Sequence, residues 1–216
     1  MNQLMEIRRK VVETGIEILS TKLTVGTWGN ISCRVPREDL IAITPTGMSY
    51  DSLVPEDIVV LDLSGKPISG ARKPSIEVPL HLAIYKARED IQAIVHTHSV
   101  YATAMAVARR DIPGAIEDLV QIVGGNVRVN EYALPGTEQL GINTVKAMEG
   151  RNAVLLANHG MLGAGRDLQE ALKVCRIVEK SAQIALLAQL VGGVVELSQE
   201  DINGMRKFYL EVYGQR

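Results

Sequence analysis

The sequence predicts an α/β fold: a single three-layer domain whose mainly antiparallel central sheet is flanked by helices. Two observations carry this expectation. Short β-rich runs bounded by turn residues alternate with segments of helical period, and no linker, repeat or low-complexity tract interrupts the order. At 216 residues and 46% apolar, the chain is also long enough for one substantial core, so one domain spanning 1–216 is expected.

Taken in order, Leu4, Ile7, Val11, Ile18 and Leu19 recur near a 3.6-residue period and predict an amphipathic helix to about Leu23, stopped by Gly26. Ile31, Cys33 and Val35 alternate with polar neighbours, and 40–44 and 58–63 are β-rich runs between turn residues; these predict paired strands. From Ser75 to Arg88 the pattern is helical, with Ser75 as N-cap and Pro79 in the first turn, where its missing N–H is not needed. A strand over 93–96, a helix over 101–108, a helix over 136–148 and an apolar strand over 153–157 follow. The last third is helical over 168–190 and again over 198–213, the second helix capped by Ser198 ahead of Glu200 and Asp201.

Charge narrows the class of partner. Lys and Arg total 23 against 25 acidic residues, a balance that builds no strong field for nucleic acid or an anionic membrane surface, so a small molecule is the expected ligand. Met1 to Lys10 is not followed by an apolar stretch of signal-peptide type, and the longest uncharged stretch, 181–195, is too short to span a bilayer and is broken by Gly192 and Gly193. Cys33 and Cys175 are too few for a disulfide framework and read as free thiols of a reducing compartment. Together these place the protein in the cytoplasm.

Four histidines offer the sharpest chemistry. His96 and His98 stand two apart at the end of an apolar strand, where a period of two puts both imidazoles on one face within reach of a shared metal. His159 follows a second apolar strand inside Asn158-His159-Gly160, a turn from which a third ligand can converge. Three imidazoles leave positions open for substrate oxygens, as in a catalytic zinc site; the bland alternative is a His-x-His pair that caps a strand by hydrogen bonding. His81, four residues after Glu77 on a predicted helix, reads as a satisfied structural residue outside the metal site.

Five runs carry a resemblance that covers most of the chain in order: Gly26-Thr27-Trp28-Gly29-Asn30-Ile31-Ser32, Thr44-Pro45-Thr46-Gly47, Lys73-Pro74-Ser75-Ile76-Glu77, His96-Thr97-His98-Ser99 and Ala157-Asn158-His159-Gly160. On these the chain resembles the class II aldolase and adducin-head family, particularly its fuculose-phosphate aldolases. The resemblance implies one Zn2+ per subunit held by His96, His98 and His159, with Glu77 as acid/base that also ligates zinc when substrate is absent. It implies a phosphate cradle from Thr27, Gly29, Asn30, Thr46, Gly47 and Ser75, whose hydroxyls and backbone N–H groups can converge on an anion. Many members carry a second serine where Ile76 stands, which removes a hydroxyl donor here. Tyr213, followed by Gly214, matches a catalytic tyrosine that reaches a neighbouring subunit's site, while Glu117-Asp118 occupies a stretch where the fuculose enzymes carry another tyrosine.

The expected function is therefore reversible cleavage of a ketose 1-phosphate to dihydroxyacetone phosphate and an aldehyde, in a homotetramer with its site between subunits. The same fold implies alternatives: a ribulose-phosphate 4-epimerase, whose acid is usually Asp where Glu77 stands, a methylthioribulose-phosphate dehydratase, or a sugar-acid phosphate decarboxylase. A non-enzymatic alternative is an adducin-like interaction domain, which has no need of the three histidines and Glu77 together.

Overall fold

The computed structural model describes residues 3–214; Met1, Asn2, Gln215 and Arg216, which belong to the expected 1–216 domain, lie outside it. Seven strands form one sheet: β1 (Asn30–Arg34), β2 (Leu40–Ile43), β3 (Val59–Asp62), β4 (Pro67–Ser69), β5 (Ala93–Thr97), β6 (Ala153–Leu156) and β7 (Gly160–Gly165). Their order is β4-β3-β2-β1-β5-β7-β6, and every neighbouring pair is antiparallel. Among the described residues seven α-helices accompany it: α1 (Gln3–Ser20), α2 (Val78–Ala87), α3 (Val100–Val107), α4 (Glu117–Val123), α5 (Glu138–Met148), α6 (Leu168–Gln189) and α7 (Gln199–Glu211).

Strand alternation sorts side chains into two cores, one on each face, and so makes the three layers. Ile31, Cys33, Ala93 and Val95 face α1, α3, α4 and α6, where Val11, Ile18, Ala102, Leu119 and Val178 meet them. Ile94, Ile41 and Leu162 face the opposite way, against Leu80, Ile84 and Tyr85 of α2 and Leu140 of α5. On this second face the parity of β1 turns Ser32 toward α2, and the parity of β5 does the same for His96. Both cysteines are buried free thiols, as expected.

Four departures from the sequence reading have local causes. Helix α1 stops at Ser20, because Lys22 takes a left-handed conformation and turns Leu23 back into the core. Ser75 is not the cap of α2: Glu77 holds that position, with Pro79 in the first turn, and the Ser75 hydroxyl accepts from the Glu77 N–H at 3.2 Å. Helix α4 and strand β4 are short, and their patterns do not separate from turns. Strand β7 hides behind its glycines. A Cβ at Gly163 would lie 2.7 Å from Cys175 Sγ and 2.9 Å from the Ala171 carbonyl, so α6 packs directly onto the strand's backbone.

Candidate active site

Antiparallel pairing gathers the start of β1, the end of β5 and the start of β7 at one end of the sheet. Asn30 pairs with His96, and Thr97 pairs with Met161, one residue after Gly160. His98 lies just past β5, held by its N–H to the Leu23 carbonyl at 3.1 Å. His159 sits in the three-residue turn between β6 and β7, which Asn158 closes in a left-handed conformation that asparagine tolerates better than most residues. Asn130 pins this turn: its side-chain oxygen accepts from the Ala157 N–H at 2.8 Å while its amide donates to Thr144. Nothing in the sequence around Asn130 marks it out.

The three imidazoles form a tight cluster. Ring centroids lie 4.7 to 4.9 Å apart, and one ligand atom from each of His96, His98 and His159 falls within 4.8 Å of the others. His96 Nδ1 donates to the Met161 carbonyl at 2.9 Å, so its Nε2 carries a lone pair that faces His98 Nε2 at 3.0 Å. Burial pushes His96 well below the usual imidazole range and His98 to about 3, with neighbouring imidazoles adding to the effect; burial also lowers His159, against the opposing charge of Glu77. At 3.0 Å a neutral His98 ring can donate from Nε2 to the bare His96 Nε2, so this pair alone does not require an ion; the convergence of His159 on the same point does the distinguishing. A divalent cation fits the donor set.

Glu77 stands beside the cluster, with Oε2 at 3.3 Å from His96 Nε2 and Oε1 at 3.7 Å from His159 Nε2. Asn30 Nδ2 donates to Oε2 at 2.7 Å, whereas Oε1 is buried without a hydrogen-bond partner. An unpartnered buried carboxylate oxygen is costly, which marks this position as one kept for a ligand or a proton. His81 lies behind Asn30, apart from the three converging imidazoles.

Above the cluster opens a cavity of about 330 Å³. Thr27, Gly29, Asn30, Thr46, Gly47 and Ser75, all six predicted cradle residues, line it together with Glu77, His98 and His159. The Asn30 side chain is already committed to Glu77 and His81, which leaves one amide N–H for anything else. Trp28 stacks on His98 with ring centroids 5.8 Å apart, and Ile76 presents an exposed apolar wall. A larger groove of about 550 Å³ opens between α1 and the start of α6, at the other end of the sheet, without comparable chemistry.

Tyr213 is not part of this cluster. It stacks on Tyr209 at 5.5 Å, and Tyr209 donates to Glu170 in the first turn of α6. Glu170 packs against Gly165, which pairs with Ala93 at the opposite end of β5. Along β5 that end lies about 10 Å from His96 and about 13 Å from Thr97. Asp118 is ion-paired with Lys180 of α6.

Three imidazoles around one point, a carboxylate beside them and an open polar cleft above define a metal-dependent enzyme. Comparison with known proteins makes the class particular. Residues 9–186 match the model of the class II aldolase and adducin N-terminal domain family, and the chain belongs to that family. It is 39% identical over 213 residues, 99% of each chain, to a 5-deoxy-D-ribulose 1-phosphate aldolase of Bacillus thuringiensis. It is 40% identical over 178 residues, 82% of this chain and 79% of the relative, to a 5-methylthioribulose-1-phosphate/5-deoxyribulose-1-phosphate aldolase of Rhodospirillum rubrum. A solved L-fuculose 1-phosphate aldolase superposes with a TM-score of 0.92 at 40% identity, covering 95% of this chain and 96% of that one.

Proposed function

We propose that the protein is a zinc-dependent aldolase that reversibly cleaves a 5-deoxypentulose 1-phosphate to dihydroxyacetone phosphate and acetaldehyde. The observation that carries this is the buried pairing of Glu77 with the three-histidine cluster at the floor of a hydroxyl- and glycine-lined cleft. Similarity over 99% of both chains to a 5-deoxy-D-ribulose 1-phosphate aldolase favours the short deoxy sugar. The exposed apolar side chain of Ile76 beside the cradle suits a substrate with few hydroxyls.

Zn2+ held by His96, His98 and His159 would supply Lewis-acid stabilisation of the negative charge that cleavage moves onto the C2 oxygen. In the cleavage direction the C4 hydroxyl loses its proton, the C3–C4 bond breaks, and its electron pair passes to C3 and the C2 oxygen as acetaldehyde leaves. Glu77 delivers a proton to C3, and removes it in the synthetic direction. Thr27, Gly29, Asn30, Thr46, Gly47 and Ser75 hold the phosphate. Tyr213, remote from the cluster of its own chain, serves the C4 oxygen in a neighbouring copy of a cytoplasmic homotetramer. Burial of the His96 imidazole and of a half-partnered carboxylate is a stability cost that a pure interaction domain has no reason to keep, which favours an enzyme over an adducin-like role.

The test is release of dihydroxyacetone phosphate from 5-deoxyribulose 1-phosphate, methylthioribulose 1-phosphate, fuculose 1-phosphate and ribulose 1-phosphate, with and without chelator. Chelator-sensitive release fastest from the deoxy sugar is expected. No release from any of the four by zinc-loaded protein would overturn the aldolase reading.

A further inference from the structure

A buried chain of hydrogen bonds runs from Glu77 into the domain: Glu77, Asn30, His81, Ser32 and Tyr85, each at most 5% exposed. From it we infer that His81 is a positioning residue, which donates from Nε2 to Asn30 and thereby locks the Asn30 amide in the one orientation that grips Glu77. The inference rests on the reading of Glu77 as the proton carrier.

The direction of each bond follows from the one before it. An ionised Glu77 can only accept, so Asn30 donates from Nδ2 at 2.7 Å. That turns Asn30 Oδ1 toward His81 Nε2, 2.5 Å away, and this nitrogen must carry the hydrogen. Burial holds His81 down at about 4, so the ring is neutral and Nδ1 is bare. Ser32 therefore donates to Nδ1 at 2.6 Å, and with its only proton spent it accepts from the Tyr85 hydroxyl at 2.8 Å. Every bond of the chain then has one donor and one acceptor, and the second Asn30 amide N–H stays outside it.

An asparagine amide has nearly the same shape when flipped, and the flipped form would set its oxygen against the Glu77 carboxylate. His81 excludes that form, because an N–H donor facing the Asn30 NH2 would be unpaired in the core. Glu77 is thus held firmly at Oε2 while Oε1 stays free of hydrogen bonds beside His159. Without the lock, the carboxylate loses its single anchor. Misplacement of a reacting group by about 1 Å is worth on the order of 100-fold in rate.

The measurement uses the full-length protein and two readouts. Long-range 1H–15N correlation of the histidine rings in the metal-free protein is expected to show His81 as the neutral Nε2–H tautomer; an Nδ1–H tautomer or an imidazolium would overturn the proposal. Solvent exchange of the C3 proton of dihydroxyacetone phosphate is then followed in zinc-loaded protein. His81→Gln keeps a donor near the Nε2 position, whereas His81→Asn is too short to reach Asn30. Exchange by His81→Gln close to the parent, with His81→Asn slower by about 10- to 100-fold in kcat at unchanged KM and zinc content, is the expected result. Equal loss in both, or full activity in His81→Asn, would reduce His81 to packing and sink the inference. Should His81→Asn fail to fold, the tautomer decides. Absence of exchange in the parent protein counts against the aldolase reading alone, and the tautomer again decides the role of His81.

Discussion

Gly160→Ala tests whether the proposed metal ligands are placed by the close approach of β5 and β7. A Cβ at Gly160 would lie 2.3 Å from the Thr97 carbonyl oxygen, 3.1 Å from His98 Cδ2 and 3.3 Å from His96 Cε1. An ordinary carbon–oxygen contact needs about 3.3 Å, so the two strands must part by about 1 Å. Neither has room to yield: β5 and β7 are buried along their whole lengths, and α6 presses on β7 at Gly163. Metal–ligand distances tolerate about 0.2 Å, and overpacking of this kind costs about 1–3 kcal/mol. Zinc affinity is expected to drop by 10-fold to 100-fold or more, roughly the scale of losing a ligand's supporting contact, with a lower melting temperature. Titration of zinc into metal-free protein, beside a thermal melt, measures both. A variant that binds zinc as tightly as the parent and melts at the same temperature would show that the contact does not set the site.

Three further expectations follow from the same geometry. Glu77→Gln keeps the three imidazoles and is expected to retain one zinc per subunit while C3-proton exchange of dihydroxyacetone phosphate slows by roughly 100- to 10,000-fold; exchange at the parent rate would remove Glu77 from proton transfer. Metal-free protein is expected to lose stability as pH falls from 6.5 to 4, because the unfolded chain protonates His81 while the folded one, with His81 held at about 4, refuses the proton. That stability is fully present above pH 6.5, and the loss from this group alone is about 3 kcal/mol, readable as a urea midpoint that falls between pH 7 and pH 4.5; a constant midpoint would contradict the buried neutral ring. Gly204→Ala, in the exposed interior of α7 where a Cβ meets nothing within 4 Å, is expected to stabilise by about 1 kcal/mol without changing turnover, and a lower melting temperature would refute it.

The elements legible in the sequence are those whose own periodicity determines them. Helices α1 and α6 carry long apolar stripes, and β1 alternates Ile31 and Cys33 into one core with Ser32 into the other. Strand β7 runs against its local propensity, since Gly160, Gly163 and Gly165 are poor strand formers. They are there because Thr97, Cys175 and Ala171 come too close for any side chain, and those neighbours are remote in sequence. A local pattern cannot report a remote neighbour. The cap of α2 shows the same limit: Ser75 is the better capping residue by type, yet the chain enters the helix at Glu77 and so puts the carboxylate at the floor of the cleft.

For the site, what could be read was the type of group, and what could not was the partner. His96 and His98 declare themselves by a spacing of two, because one strand carries both. Asn30, expected among the phosphate contacts, also gives one amide N–H to Glu77 and accepts at Oδ1 from His81, 47 and 51 residues further on. Those pairings depend on β1 lying next to β5 with Asn30 opposite His96, a consequence of strand order that no periodicity encodes. The sequence marks His81 only as a satisfied structural residue, and in donor and acceptor terms it is one. Its satisfaction has a direction, however, and the direction ends on Glu77. The same sheet order explains why Tyr213 lies apart: the antiparallel strands bring the histidines to one end of β5 and leave the contacts of Tyr209 and Tyr213 at the other. A tyrosine at that end can join a three-histidine site only in another copy of the chain, so the role proposed for Tyr213 couples catalysis to assembly.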